Sequence, residues 1–334
     1  MSDRLTALLA ERSVLLADGA MGTSLFQMGL VTGDNPELWN VQHPERVAAV
    51  HRAFIDAGAD LVLTNSFGGN RFRLALHGHQ ERVAELNRAA ARVARQATEA
   101  AGRLVLVAGS IGPTGEILAP LGACEPAAAE AAFAAQAAAL AEGGCDLLWI
   151  ETMSAAEEVA AAVRGAAATG LPLVVTMSFD TGGRTMMGLT PADAAALARA
   201  LPTPPVAMGA NCGVGPSQLV TTILAMRDAA PGALLVAKAN CGIPEYRDGQ
   251  IHYTGTETVM AAYARLARDA GARIVGGCCG TTAAHLAAMR SALDHSGPGP
   301  IPDLALIERL LGPLGPQAAG RQLGGQHRRR RSAV

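Results

Sequence analysis

Short apolar runs alternate with longer amphipathic stretches along the chain, and each run closes on a turn of glycine and polar residues. Residues 13–17 form the first run and end in Asp18-Gly19-Ala20-Met21-Gly22-Thr23; Leu61-Val62-Leu63 form the second and end in Thr64-Asn65-Ser66-Phe67. Between them Val47, Val50, His51 and Phe54 recur at the i, i+3, i+4, i+7 spacing of one helix face, which predicts a helix over 45–57. Further strands are predicted over 104–108, 147–150, 173–177, 206–210, 234–237 and 272–275, and further helices over 81–100, 127–142 and 256–269. Ser154 with Glu157 three residues on predicts a capping box, and Pro191 and Pro216 suit the first turns of two more helices.

Eight strand–helix units in a row, with strands apolar throughout, predict a single closed (β/α)8 TIM barrel. An open doubly wound sheet is the alternative, but it normally carries a Gly-x-Gly-x-x-Gly turn after its first strand, and none is present. A Walker loop is excluded: Lys238 is the sole lysine, and Ala239 follows it.

The composition fits an enzyme with a large aliphatic core: half of the 334 residues are hydrophobic and only 3% are aromatic. A net charge of −2 argues against general nucleic-acid binding. The barrel is expected over 1–312. Residues 313–334 carry five arginines and no acid, with no apolar periodicity, and are expected to be a disordered basic tail. There is no signal-peptide core at the start and no membrane-length apolar run, so the expected setting is cytoplasmic and reducing. There, grouped thiols point to metal or catalysis rather than disulfides.

In a barrel the C-terminal strand ends share one face. Here they read Asp18, Asn65, Ser110, Glu151, Ser178, Asn211-Cys212, Lys238 and Cys278-Cys279. Cys212, Cys278 and Cys279 are therefore candidate ligands of Zn²⁺, three thiolates leaving an open fourth position; the alternative is that they are small buried thiols. Cys241 is a possible spare ligand, and Cys124 and Cys145 are expected to be inert. Zinc with three thiolates carries a net charge of −1 and suits activation of a substrate thiol more than hydrolysis. Asp18 and Glu151 are placed to bind an ammonium group. The backbone of the Gly19-Ala20 turn is placed to bind a carboxylate, and Asn211 is taken as a substrate contact beside Cys212. Together these describe an amino acid with a side-chain thiol. His51, His77, His79 and His285 are read as core or helix-surface residues.

These motifs, above all Gly209-Ala210-Asn211-Cys212 with Gly276-Gly277-Cys278-Cys279-Gly280-Thr281-Thr282, resemble the homocysteine S-methyltransferase family over residues 12–295. The resemblance implies a zinc barrel in which Cys212, Cys278 and Cys279 hold the metal and the homocysteine sulfur takes the open position. It implies that Asp18 and Glu151 receive the amino group and that Gly19 and Ala20 receive the carboxylate. No side chain is assigned as acid or base; the reactive group is the substrate's own thiolate, and the product is methionine. Gly183-Arg184-Thr185 and Asn240-Cys241-Gly242-Ile243-Pro244 resemble the homocysteine domain of cobalamin-dependent methionine synthase, which implies a methyl-corrinoid protein as donor. Betaine or another small onium compound is the alternative donor, as in bacterial betaine–homocysteine enzymes. Against betaine stand Gly68-Gly69 and Thr152, where the animal betaine enzyme has tyrosines for cation–π contact. Two other readings are a Schiff-base aldolase using Lys238 and a non-enzymatic zinc-binding barrel.

Overall fold

The computed structural model describes residues 3–314 except 181, 243, 248 and 249. Ile243 of the cobalamin-type motif and residues 315–334, nearly all of the expected basic tail, lie outside the described residues.

Eight parallel strands form one sheet: β1 (Leu15–Leu16), β2 (Leu61–Leu63), β3 (Leu106–Ile111), β4 (Leu147–Met153), β5 (Leu173–Met177), β6 (Ala207–Cys212), β7 (Leu235–Ala239) and β10 (Ala272–Gly277). Their order is β1-β10-β7-β6-β5-β4-β3-β2. A parallel bridge from Ala17 to Leu61 joins the two ends, so the sheet closes into the expected barrel. Strand β1 is short, and side chains complete the seam. Asp18 Oδ2 accepts from Leu63 N at 2.7 Å near the C-terminal end, and Asp60 Oδ2 accepts from Leu16 N at 2.8 Å near the other.

Alternate strand residues face the lumen and the helices, which divides the core in two. Leu15, Leu61, Leu106, Leu147, Trp149, Val174 and Val236 fill the lumen; Leu5 and Leu8 of an N-terminal helix (Asp3–Glu11) pack into the same cluster. The second, larger cluster lies between strands and helices, where Val62, Val107, Leu148, Val175 and Val275 meet Phe54, Phe133 and Met260. Each buried aliphatic of this size contributes roughly 1.5–3 kcal/mol.

Three local expectations change. The predicted helix over 81–100 is Val83–Glu99, entered through a 3₁₀ turn at Gln80–Arg82. The Ser154/Glu157 capping box does not form: strand β4 runs on to Met153, the helix begins at Ala156, and Ala155 is its cap without a side-chain bond. Glu158 rather than Glu157 turns inward, accepting from Thr114 N and Oγ1. The third is an antiparallel hairpin, β8 (Pro244–Arg247) with β9 (Gln250–Tyr253), which the apolar pattern did not reveal. Pro191 and Pro216 do open helices, the first behind a Thr190/Asp193 capping box.

Candidate metal and amino-acid site

Strands β6 and β10 end in the thiols. Cys212 closes β6 with a left-handed backbone (φ 62°), and Cys278-Cys279 follow β10. The three Sγ atoms lie within 4.8 Å of one another, with Cys212 to Cys279 at 4.0 Å. Thiolates around tetrahedral zinc stand about 3.8 Å apart, given a Zn–S bond of about 2.3 Å. The donor set and its spacing therefore fit zinc. A hydrogen bond with Cys278, helped by burial, raises the Cys212 thiol to about 12; one with Cys212 raises Cys279 to about 11. For Cys278 the Cys212 hydrogen bond pulls down, but the bond to Cys279 and burial outweigh it and the net direction is up. Metal-free, the three hold their protons, which a divalent cation displaces on binding.

Neighbouring loops hold this cluster in place. Asn240 Oδ1 accepts from Cys279 N at 3.1 Å while its Nδ2 donates to Gly213 O at 2.7 Å, joining the loops after β6, β7 and β10. Asn211 is fully buried. Its Oδ1 accepts from Thr152 N at 2.9 Å, and its Nδ2 donates to Thr152 Oγ1 at 2.8 Å and lies 3.9 Å from Cys278 Sγ. Thr152 has φ 62°, which a β-branched residue rarely adopts, so Asn211 holds a strained turn against a thiol. Its amide is engaged in holding this turn in place. Tyr253, from the unpredicted hairpin, packs on Gly280, the residue after Cys279. Cys241 lies apart: its buried Sγ is 3.5 Å from His285 Nε2, so it is no spare ligand here. Cys124 and Cys145 are also buried away from the cluster.

Across the mouth lie the charged groups. Asp18 Oδ1 accepts from Lys238 Nζ at 2.6 Å, both groups buried, and the ammonium stands 5.6 Å from the Trp149 ring centroid. Burial pulls the lysine down, but the Asp18 and Glu151 charges outweigh it and hold the amine protonated. An amine held in this ion pair must first leave it to attack a carbonyl, which speaks against the aldolase reading. Glu151 Oε1 accepts from Ser110 Oγ at 2.5 Å and, among the described residues, forms no ion pair; burial pushes its carboxyl up, and the Lys238 charge opposes this in part. Of the two amides expected to meet a carboxylate, that of Ala20 already donates to Thr281 O at 3.0 Å. Asp18, Gly19, Ala20, Glu151, Lys238 and the three thiols all line one cavity of about 570 Å³, large enough for an amino acid and more. Sequence reasoning named Lys238 only as a nucleophile and missed Tyr253 and Asn240. Their polar tips at strand or loop ends were a signal, but not one that identifies partners.

A family model described as homocysteine S-methyltransferase matches residues 15–293. The chain belongs to the homocysteine S-methyltransferase family. Among curated relatives it is 29% identical over 310 residues to a methionine synthase of Mycobacterium leprae, covering 88% of this chain and 25% of that one. It is 30% identical over 298 residues to the methionine synthase of Mycobacterium tuberculosis, covering 84% and 24%. The chain thus spans about a quarter of the length of these relatives. Among solved structures, the metallated form of the homocysteine methyltransferase MmuM from Escherichia coli superposes with a TM-score of 0.72 at 29% identity, covering 86% of this chain and 99% of that one. Its oxidised form gives the same values. Family membership and the superposition on a solved homocysteine methyltransferase agree with the barrel. Among the described residues no helix is long and apolar enough to cross a membrane.

Proposed function

We propose that this protein is a zinc-dependent homocysteine S-methyltransferase that forms methionine with a methyl group delivered by a methyl-corrinoid partner protein. The observation that carries the reading is the gathering of Cys212, Cys278 and Cys279 on the same cavity as the buried acids Asp18 and Glu151. When bound, zinc supplies the charge that lowers a substrate thiol's pKa and keeps it a thiolate near neutral pH. The chain's own residues do the rest. The three thiolates hold the metal, while Asn211 and Asn240 hold the loops that carry them. Ser110 orients Glu151 toward the substrate's ammonium, and the barrel walls align the sulfur with the incoming carbon. In the transfer the thiol proton leaves to solvent and sulfur bonds to the methyl carbon. The bond from that carbon to its carrier breaks, and its electron pair stays on the carrier.

Two features support a macromolecular donor. Ten of the twelve exposed large apolar side chains among the described residues follow strand ends on the mouth face, including Phe26, Leu76, Leu121, Met186 and Val214. Such a ring of apolar groups suits a docking carrier domain. Among the described residues neither tryptophan offers a ring to the cavity for a closed aromatic cage: Trp39 and Trp149 are core residues. A small onium donor is the second reading, favoured by Phe26, Phe67 and Tyr253 on the cavity wall together with the buried carboxylate of Glu37. The zinc-loaded protein is supplied with homocysteine and, separately, a methylated corrinoid protein, free methylcobalamin, betaine or S-methylmethionine, and methionine is measured. Turnover with the carrier alone supports the proposed donor, turnover with an onium compound alone transfers the reading to the second, and none with any donor removes both.

A further inference from the structure

Strands β4 and β6 are not neighbours in the barrel, because β5 lies between them. One buried side chain nevertheless joins their C-terminal ends. Asn211 of β6 reaches past β5 to Thr152, 59 positions away in the chain, and clamps it with two hydrogen bonds, one to the backbone N–H and one to the hydroxyl. Asn211 itself is fully buried and is not one of the side chains lining the cavity. The clamp joins two distorted turns. Among the described residues Thr152 and Cys212 are the two non-glycine residues with positive φ, both at 62°. The β4–β5 register also shifts between Ile150 and Met153, so Glu151 and Thr152 sit in an irregularity of the strand. Such irregularities re-aim side chains beside a site, and backbone strain of this kind persists only where the surroundings hold it. One distortion directs the carboxylate of Glu151 to the cavity and the other directs the thiol of Cys212 to it. A single amide holds the two against each other.

Resting on the homocysteine reading above, we propose that Asn211 and Thr152 are positioning residues that fix the span between the metal-binding thiols and Glu151, and that this span selects the chain length of the amino-acid thiol. A ligand held by its sulfur at one end and by its amino-acid group at the other has to match that span. A side chain one methylene shorter or longer than that of homocysteine leaves one end out of reach or out of line. The clamp contacts neither end of the ligand. It acts through the two turns, and its own place behind the wall is what lets it set their separation.

The test is binding, without a methyl donor, to protein saturated with cobalt, where an incoming thiolate is seen by its charge-transfer absorption. Three thiols are titrated: cysteine, homocysteine and 2-amino-5-mercaptopentanoate, which differ by one methylene each. The unaltered protein is expected to bind homocysteine about 10-fold or more tighter than the other two, the usual effect of one methylene in a fitted site. Asn211→Ala removes both bonds of the clamp without changing the cavity wall, and should bring the three affinities within about 3-fold of one another. Thr152→Gly removes the hydroxyl at a position whose φ suits glycine, so the fold is spared, and should shift the preference the same way by a smaller factor. Thr152→Ser keeps the hydroxyl and should keep the preference. If Asn211→Ala and Thr152→Gly weaken all three thiols by one common factor, or weaken none, the clamp merely supports its loops; its role in selection is overturned while the homocysteine reading stands. An unaltered protein that binds none of the three, or binds them equally, overturns both.

Discussion

The two ends of the barrel handle a buried aspartate in opposite ways. Asp18 and Asp60 both repair the same seam, each accepting a backbone N–H that the short β1–β2 pairing leaves over. At the closed end Asp60 is surrounded by Arg12 at 3.2 Å, Arg290 at 3.3 Å and Arg103 at 4.0 Å, guanidiniums that are partly exposed. At the mouth Asp18 has one cation, Lys238, as buried as itself, and that cation faces an open cavity. The first arrangement shares one carboxylate among three partly exposed guanidiniums away from the cavity, as a structural cluster does. The second is a one-to-one buried pair on the cavity wall, and Asp18 uses only one of the ammonium's three donors. The same carboxylate is shared among guanidiniums at one end and, with a single lysine, borders a cavity at the other, and what differs is the remaining capacity of its partners.

The largest expected effect is at the thiols. Cys278→Ala leaves only two ligands, and zinc retained after dialysis should fall to background while the unfolding transition of the metal-free protein hardly moves; full zinc with normal turnover would remove the ligand assignment. Next comes the comparison itself. Asp18→Ala strands Lys238 in the lumen and should cost about 3–5 kcal/mol in urea unfolding. Asp60→Ala leaves Leu16 N unsatisfied but lets its arginines rehydrate, and should cost about 1–3 kcal/mol. Equal losses would mean that the two ends do not differ as described.

A buried base away from both ends sharpens the contrast. Among the described residues His51 has no hydrogen-bond partner at either ring nitrogen, and burial lowers it to about 4. Below its ordinary value near 6.5 the unfolded chain takes up a proton that the native chain refuses until about pH 4. Stability should therefore fall by about 3 kcal/mol as pH drops through that window. His51→Leu should flatten the profile there, and an unchanged slope would assign it to other groups. The smallest effect concerns positioning. Asn211→Ala should weaken zinc about 10- to 100-fold in a chelator competition, as the loss of support around metal ligands does, with all three thiols still present. An unchanged affinity would make its contact with Cys278 incidental.

Much of this was legible in the chain. Eight apolar runs, each closing on a polar turn, specify a parallel barrel because burial on both faces and a 3.6-residue return helix are local properties. The placement of Cys212, Cys278 and Cys279 at one mouth follows from that topology alone, since every strand ends on the same face. Where the reading failed, the reason was competition between local signals: strand β4 extended through Met153 and overrode the cap at Ser154. The hairpin ending in Tyr253 was missed because its eight strand residues carry no clear alternation.

By itself, then, the sequence determined the barrel, the face on which chemistry sits and the kinds of group found there. Only the tertiary structure decided which groups meet. Asp18 and Lys238 are 220 positions apart, and Asn211 and Cys278 are 67 apart. Periodicity says which face of a strand a residue occupies. Whether a buried charge is satisfied by a lysine, a hydroxyl or an arriving substrate depends on distances across the lumen, and these exist only after the seam has closed.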